Sequence, residues 1–268
     1  MKKVVFILSA FFLLSASTIC FAAAPAEAFL DDTARRISSL LKSIDRDISK
    51  AAGSFDKGDA AGTGMREAVR DLCAGKTYAI DCSFVNAKGA MEIIEPEKYR
   101  RYEGTNIKDT PAMVRFYKKK SPLFSELFTS IEKYQGIVFV YPVFNKKSEF
   151  VGSVHLLVSP ELVVGEALKG SKPEKGLGIN VLQPDGTNIY CSDPGQIRLN
   201  VLKSTEYKGF HELRELGKRI VSEKEGSGTY RYIQPGTEKV LKKTAFWKTV
   251  PFYDSYWRVV INTEGRQP

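Results

Sequence analysis

Histidine is nearly absent from this chain: His155 and His211 are the two in 268 residues. General acid–base chemistry and metal binding draw heavily on histidine, so little of either is expected. His211-Glu212-Leu213-Arg214-Glu215 opens like a zincin helix, but no second histidine follows at the required spacing. No Gly-x-Ser-x-Gly nucleophile elbow and no GxxxxGKS or GxxxxGKT phosphate loop occurs. Gly62-Thr63-Gly64 lacks the third glycine and the preceding strand of a dinucleotide loop. Cysteine is scarce as well, with Cys20, Cys73, Cys82 and Cys191 and neither a CxxC nor a CxxCH pattern. Zinc-ribbon, thioredoxin-type and c-type haem chemistry fail for want of ligands. These absences speak against an enzyme, and no cofactor or metal is expected.

Long apolar runs are confined to the N-terminus. Lys2-Lys3 is a basic start, Val4–Leu14 an apolar core and Cys20-Phe21-Ala22-Ala23 a small-residue exit. This is the pattern of a signal peptide over residues 1–23, with cleavage expected after Ala22 or Ala23. Lipoprotein processing would need a small residue before the cysteine, and Ile19 stands there. An uncleaved signal anchor is the alternative, although the run is short and broken by Ser9, Ser15 and Ser17. No later run approaches the ~18 apolar residues of a membrane span. The mature chain is therefore expected to be exported, periplasmic or otherwise extracytoplasmic, where disulfides form.

Export changes how the cysteines are read. Cys73 and Cys82 lie at the end of one helix and in the next strand, and a bridge or two buried thiols both fit. Cys191 is expected to pack as a small apolar residue. The formal net charge is +9, of which Lys2 and Lys3 lie in the leader. Lys118–Lys120, Lys146-Lys147 and Lys242-Lys243 are interspersed with acids and read as solvated surface. An anionic ligand or membrane surface is the other reading, and nothing points to nucleic acid.

What the chain does contain is a pattern used twice. Gly136–Pro160 reads as a hairpin of two strands, Ile137–Phe144 and Phe150–Val158, joined by the polar turn Asn145–Glu149. Leu241–Asn262 echoes it, with Val250-Pro251-Phe252, a turn at Asp254-Ser255 and the strand Tyr256–Ile261. Tyr78–Ile94 and Ile179–Tyr190 form a second repeated pair, each a strand, a glycine-bearing turn and a strand. Helices are expected at Met65–Cys73, at Ala112–Lys120 behind Thr110-Pro111, and at Phe210–Val221. The first strand is expected to place Tyr78, Ile80, Cys82 and Phe84 on one face.

Ahead of both repeats, 26–55 is a long helix with one apolar seam: Leu30, Ala34, Ile37, Leu41, Ile44, Ile48, Ala51 and Phe55. The seam suits a spine along two stacked modules, or a homodimer. The expected fold class is α+β, two mostly antiparallel sheets with helical crossings. The modules are placed at 62–164 and 179–264, with 165–178 as linker.

A long N-terminal helix followed by two such modules resembles the double Cache (dCache) extracytoplasmic sensors, whose modules are PAS-like. The motifs that carry the resemblance are Val181–Gly186 running on to Ile189-Tyr190, Gly226–Tyr230, Trp247–Pro251 and Trp257–Val260 in the second module. In the first they are Tyr102–Thr105, Tyr141–Phe144 and Gly152–Val154. The resemblance covers roughly residues 26–264. It implies that the membrane-distal first module holds a small molecule between its sheet and the segment Tyr99–Tyr134. Arg115, Tyr117, Tyr134, Tyr141, Ser153 and His155 become the candidate ligand contacts. Arg115 suits a carboxylate or phosphate, and the tyrosines could wall an apolar cavity. The plainer readings are a surface arginine, core tyrosines and a satisfied strand histidine.

The amino-acid-binding branch of that family carries Arg-x-Trp-Tyr on this helix and an aspartate in the last strand. Arg115-Phe116-Tyr117 and Val154–Val158 lack both, so a carboxylate or other small anion is as well suited as an amino acid. The expected function is an exported small-molecule sensor or solute-binding protein. The chain stops at Pro268 without a recognisable output segment, so signalling is expected to pass through a membrane partner, or through the N-terminal segment if that stays uncleaved. The alternative is a non-binding structural or interaction protein of the envelope, with the long helix as a dimer seam.

Overall fold

The computed structural model describes residues 17–55, 63–171, 173–233 and 239–263, with the side chains of 17–23, Thr63 and Ile233 left aside. Most of the expected leader, residues 1–16, lies outside the described residues. Helix α1 (Ser17–Ser54) begins ahead of the expected start at Ala26. Ala22-Ala23-Ala24 are the strongest of helix formers, and the helix continues across Pro25. Among the described residues, no helix is long and apolar enough to cross a membrane.

Two antiparallel sheets follow with one topology. Helix α2 (Thr63–Cys73) leads into β1 (Ala79–Asn86) and β2 (Met91–Glu95). A 3₁₀ segment (Glu97–Tyr102) and helix α3 (Pro111–Lys119) come next. Then come β3 (Leu123–Phe124), β4 (Phe128–Thr129), β5 (Gln135–Phe144) and β6 (Phe150–Val158). Helix α4 (Pro160–Ala167) leads to β7 (Leu177–Leu182) and β8 (Asn188–Cys191). Helix α5 (His211–Ser222) precedes β9 (Glu225–Ile233), β10 (Val240–Phe252) and β11 (Ser255–Thr263). The strand orders are β2-β1-β6-β5-β3, with β4 also on β5, and β8-β7-β11-β10-β9. In each sheet the last strand of the module returns beside its first, so the repeat read in the sequence is a repeat of topology. This is the double PAS-like (Cache) architecture.

Helix α1 is the spine of both sheets. Ile37, Leu41, Ile44 and Ile48 are wholly buried, in one core with Ile137, Phe139 and Leu156 of the first sheet and Phe246, Trp257 and Val259 of the second. Burying each such side chain contributes roughly 1.5–3 kcal/mol, so the seam is a main source of cohesion. The sheets also meet directly: the Phe124 ring lies 5.4 Å from that of Phe252 and 5.3 Å from that of Trp257. The Sγ atoms of Cys73 and Cys82 are bonded, tying α2 to β1, and Cys191 is a buried thiol.

Two expectations about elements change. Residues 165–178, read as linker, begin inside α4, which Ser159 caps by accepting from the Leu162 N–H. The serine and the following Pro160 were a helix start in plain sight. Ile80 also leaves the face expected for it. A bulge between Ala79 and Asp81 shifts the register against β6, so Ile80 packs away from α1 while Tyr78, Cys82 and Phe84 pack towards it.

Candidate ligand-binding site

The first sheet presents two unlike faces. Strand alternation places Cys82, Phe84, Phe139, Val154 and Leu156 against α1. The opposite face carries Asp81, Ser83, Val138, His155 and Leu157, which form the floor of a cavity of about 790 Å³. Its other walls are Met91, Ile107, the first turn and a half of α3 through Thr110–Arg115, and the stretch Ser125–Glu132.

Local chemistry holds those walls in place. Thr110 precedes Pro111 at the first helical position, and Met113 and Phe116 anchor α3 to the sheet. The Ser125 hydroxyl accepts from the Val138 N–H at 2.9 Å and donates to the Glu126 carbonyl at 2.8 Å. The Leu127 N–H donates to Gln183 Oε1 at 2.9 Å, so the second sheet also supports this wall. On the far side of β2, Glu95 is buried but paired with Arg66 at 3.1 Å and Arg100 at 2.7 Å.

Inside the cavity the polar groups are treated otherwise. Asp81 is 2% exposed and Glu132 7%, and no cation pairs with either among the described residues. Glu132 Oε1 and the Ser83 hydroxyl are buried without a hydrogen-bond partner. Burial, with Glu132 nearby, pushes the Asp81 carboxyl well above the usual carboxylate range. His155 is also buried; desolvation lowers it to about 3, so its ring is neutral, with Nε2 2.8 Å from Ser153 Oγ.

Of the residues singled out from sequence, Arg115 and His155 line the cavity, and Ser153 joins through its hydrogen bond to His155. Arg115 is exposed and makes no hydrogen bond or ion pair with a described residue. The three tyrosines do not line the cavity. Tyr117 turns onto another face of α3, packs on Phe116 and Phe150, and donates to the Asn86 carbonyl at 3.2 Å. Tyr134 is 48% exposed and meets the Tyr99 ring edge-on. Tyr141 shares its strand face with Phe139 and Val143, against the α1 core.

Sequence reading missed Asp81, Ser83 and Glu132. An aspartate inside the apolar run Ala79–Val85 was the available signal for the first. Glu132 falls in a polar turn and gave none.

The second sheet has a cavity of about 650 Å³ over β7, β8 and α5. Asn180 donates to Asn188 Oδ1 at 3.2 Å and to Cys191 Sγ at 3.0 Å, and accepts from Asn262 at 2.7 Å. No unpartnered buried polar atom of the described residues lies in its lining.

Residues 39–160 match the model of the HK/GC/chemotaxis protein-like sensor domain. The match spans a little under half of the chain, so these residues are similar to a sensor domain of this class. No curated protein sequence matches it. Among solved structures, the chain superposes on an extracellular ligand-binding receptor from Desulfohalobium retbaense with TM-score 0.73 and 25% identity. That match covers 88% of this chain and 39% of the receptor, so the chain spans about two fifths of that relative. The periplasmic sensory domain of the Campylobacter jejuni chemoreceptor Tlp1 matches at TM-score 0.65 and 13% identity, over 92% of this chain and 95% of its own. The ligand-binding domain of the Pseudomonas fluorescens chemoreceptor CtaA, in complex with L-isoleucine, matches at 0.67 and 12%, over 93% and 96%. The latter two share the fold of this chain.

Proposed function

We propose that this chain is a non-catalytic, extracytoplasmic sensor that takes a small organic molecule into the cavity of its first sheet and reports occupancy to a membrane signalling partner. The observation that carries the reading is the cavity itself, about 790 Å³ and lined by buried polar atoms without partners. Polar groups of that kind are stabilised by a molecule that satisfies them. Structural relatives support the reading, since CtaA is matched in complex with an amino acid. Arg115, unpaired at the cavity wall, suits a ligand carboxylate, so an amino acid or a simple carboxylate both fit that end. The first module is taken as the membrane-distal one. A scaffold protein would have packed this space with its tyrosines, and those side chains lie elsewhere.

A thermal-shift screen of the exported chain against amino acids, amines, carboxylates and purines tests the reading. A compound present at about 100 times its dissociation constant adds roughly 2.7 kcal/mol to stability. A response that Arg115→Ala weakens places the ligand's acidic end at the wall of this cavity. If no compound moves the transition and native mass spectrometry finds no bound molecule, the sensor reading falls.

A further inference from the structure

We infer that the first-sheet cavity is built for a ligand bearing a protonated amine, which Asp81, Glu132 and Ser83 hold. This rests on the sensor reading above and names the chemistry of the ligand. Glu132 Oε1 and the Ser83 hydroxyl are buried on this wall without a hydrogen-bond partner, and the buried Asp81 carboxyl beside them has no counter-charge among the described residues. An ammonium offers three N–H donors and a positive charge, which matches two carboxyls and a hydroxyl. A carboxylate ligand placed there would bring further acceptors and no donor.

Ser83 argues independently of the acids. It is 1% exposed, lines the cavity and has no partner, although the hydroxyls of Ser125 and Ser153 are satisfied. Elsewhere the protein pairs its buried acids, as Glu95 is paired with two arginines. Asp81 and Glu132 are not bonded to each other, so they do not form a self-sufficient acid pair. The cavity lining contains no lysine, and Arg115 is its single arginine. Burial raises the Asp81 carboxyl, Glu132 and Tyr99 surround it, and His155 stays neutral. A bound cation would favour the ionised form of Asp81 and supply the missing counter-charge.

Two sources share this chemistry: a plain organic amine, and an amino acid whose carboxylate turns to Arg115. The experiment is a thermal-shift and calorimetric comparison on the exported chain. Its arms are linear mono- and diamines, L-amino acids with their methyl esters and N-acetyl derivatives, amine-free carboxylates, and sodium, potassium and calcium chlorides.

Each compound that raises the transition is expected to carry a protonated amine and to lose its effect on N-acetylation. Asp81→Asn and Glu132→Gln are each expected to weaken its dissociation constant by about 100-fold or more, because a buried charge pair is broken. Both variants are near-isosteric, and a circular-dichroism melt checks that each still folds. A methyl ester that binds like its parent amino acid assigns the site to amines at large; an ester that fails assigns it to the zwitterion.

Binding of an amine-free carboxylate that survives Asp81→Asn would overturn the amine inference and leave the sensor reading standing. A shift given by the inorganic cations alone would overturn it in favour of a metal ion. Silence from every arm, with no carried-over molecule in native mass spectrometry, would sink both.

Discussion

The two sheets of this protein share one topology and enclose cavities of similar size, yet they treat buried polar groups in opposite ways. Around the second cavity, Asn180, Asn188, Asn262 and Cys191 satisfy one another. Around the first, Ser83 and Glu132 have buried oxygens without a hydrogen-bond partner, and Asp81 is buried without a counter-charge among the described residues. Volume therefore does not separate a cavity kept for a ligand from one belonging to the framework; the state of the polar lining does. A satisfied network rigidifies its surroundings, whereas an open set of acceptors is stabilised only by a guest. The contrast implies opposite signs for mutations. Deleting polar groups in the second module should weaken the fold, and neutralising an acid in the first should strengthen the empty protein while removing binding.

The largest expected effect is at Arg258. It is 3% exposed, and its guanidinium donates to the carbonyls of Ile220 at 2.7 Å, Val221 at 3.2 Å and Lys224 at 2.7 Å, and to the Thr249 hydroxyl. It thereby closes the C-terminal end of α5 onto β11. Arg258→Met leaves those carbonyls buried and unanswered, a loss on the order of 3–5 kcal/mol. Urea denaturation followed by tryptophan fluorescence reads it; an unchanged midpoint would mean that water replaces the guanidinium and that the second module is less tightly closed than described.

Next in size is the Cys73–Cys82 bridge, which closes a short loop between α2 and β1. Replacing both cysteines by serine should cost about 2–3 kcal/mol by loop-closure entropy. Because β1 carries Asp81 and Ser83, ligand affinity should fall along with stability. Calorimetric melts of the double variant, with and without a ligand, check both parts.

Much of the fold was legible, and much of the site was not, for separate physical reasons. The α1 seam, the aromatic hairpins and the repeated strand–turn–strand openings follow from period and turn chemistry, which are local. Which face of a strand looks into a cavity is not local. Alternation groups Tyr141 with Phe139 and Val143, but nothing in that run says their face packs on α1. The bulge at Ala79–Asp81 further hid the boundary between faces in β1. Glu132 reads as an exposed turn residue until folding brings Ser125–Glu132 over the sheet. Arg115 and His155 stand out in the sequence because a helix arginine and a rare histidine are conspicuous wherever they fall, and both lie on the cavity lining.

A further test sharpens the comparison through pH. His155 is held neutral with its pKa lowered to about 3, against about 6.5 in the unfolded chain. Between these values the unfolded state binds the proton and the folded state does not. Stability contributed by the neutral ring is therefore full above about pH 6.5 and declines as pH falls towards 3, at most about 1.4 kcal/mol per pH unit. His155→Gln should flatten the pH dependence of the melting temperature across that window. A profile identical to the parent would place the titration elsewhere.

The smallest expected effect has the sign that decides the contrast. Asp81 is the reverse case, an acid whose folded pKa is raised by burial and by Glu132. The protonated form stabilises the fold, fully so below the unfolded value near 3.9, and that contribution is lost as pH rises. Asn has no charge to desolvate, so Asp81→Asn should make the ligand-free protein more stable at pH 7 by on the order of 1 kcal/mol, or about 2–4 °C for a chain of this length. At pH 3 the gain should vanish, because the parent carboxyl is then neutral too. A variant that melts lower at both pH values would mean that Asp81 serves the framework, as Asn180 does in the second sheet. A variant that melts higher at pH 7 while losing its ligand would mean that the first cavity keeps an acid at the expense of its own stability, which is the mark of a residue retained for binding.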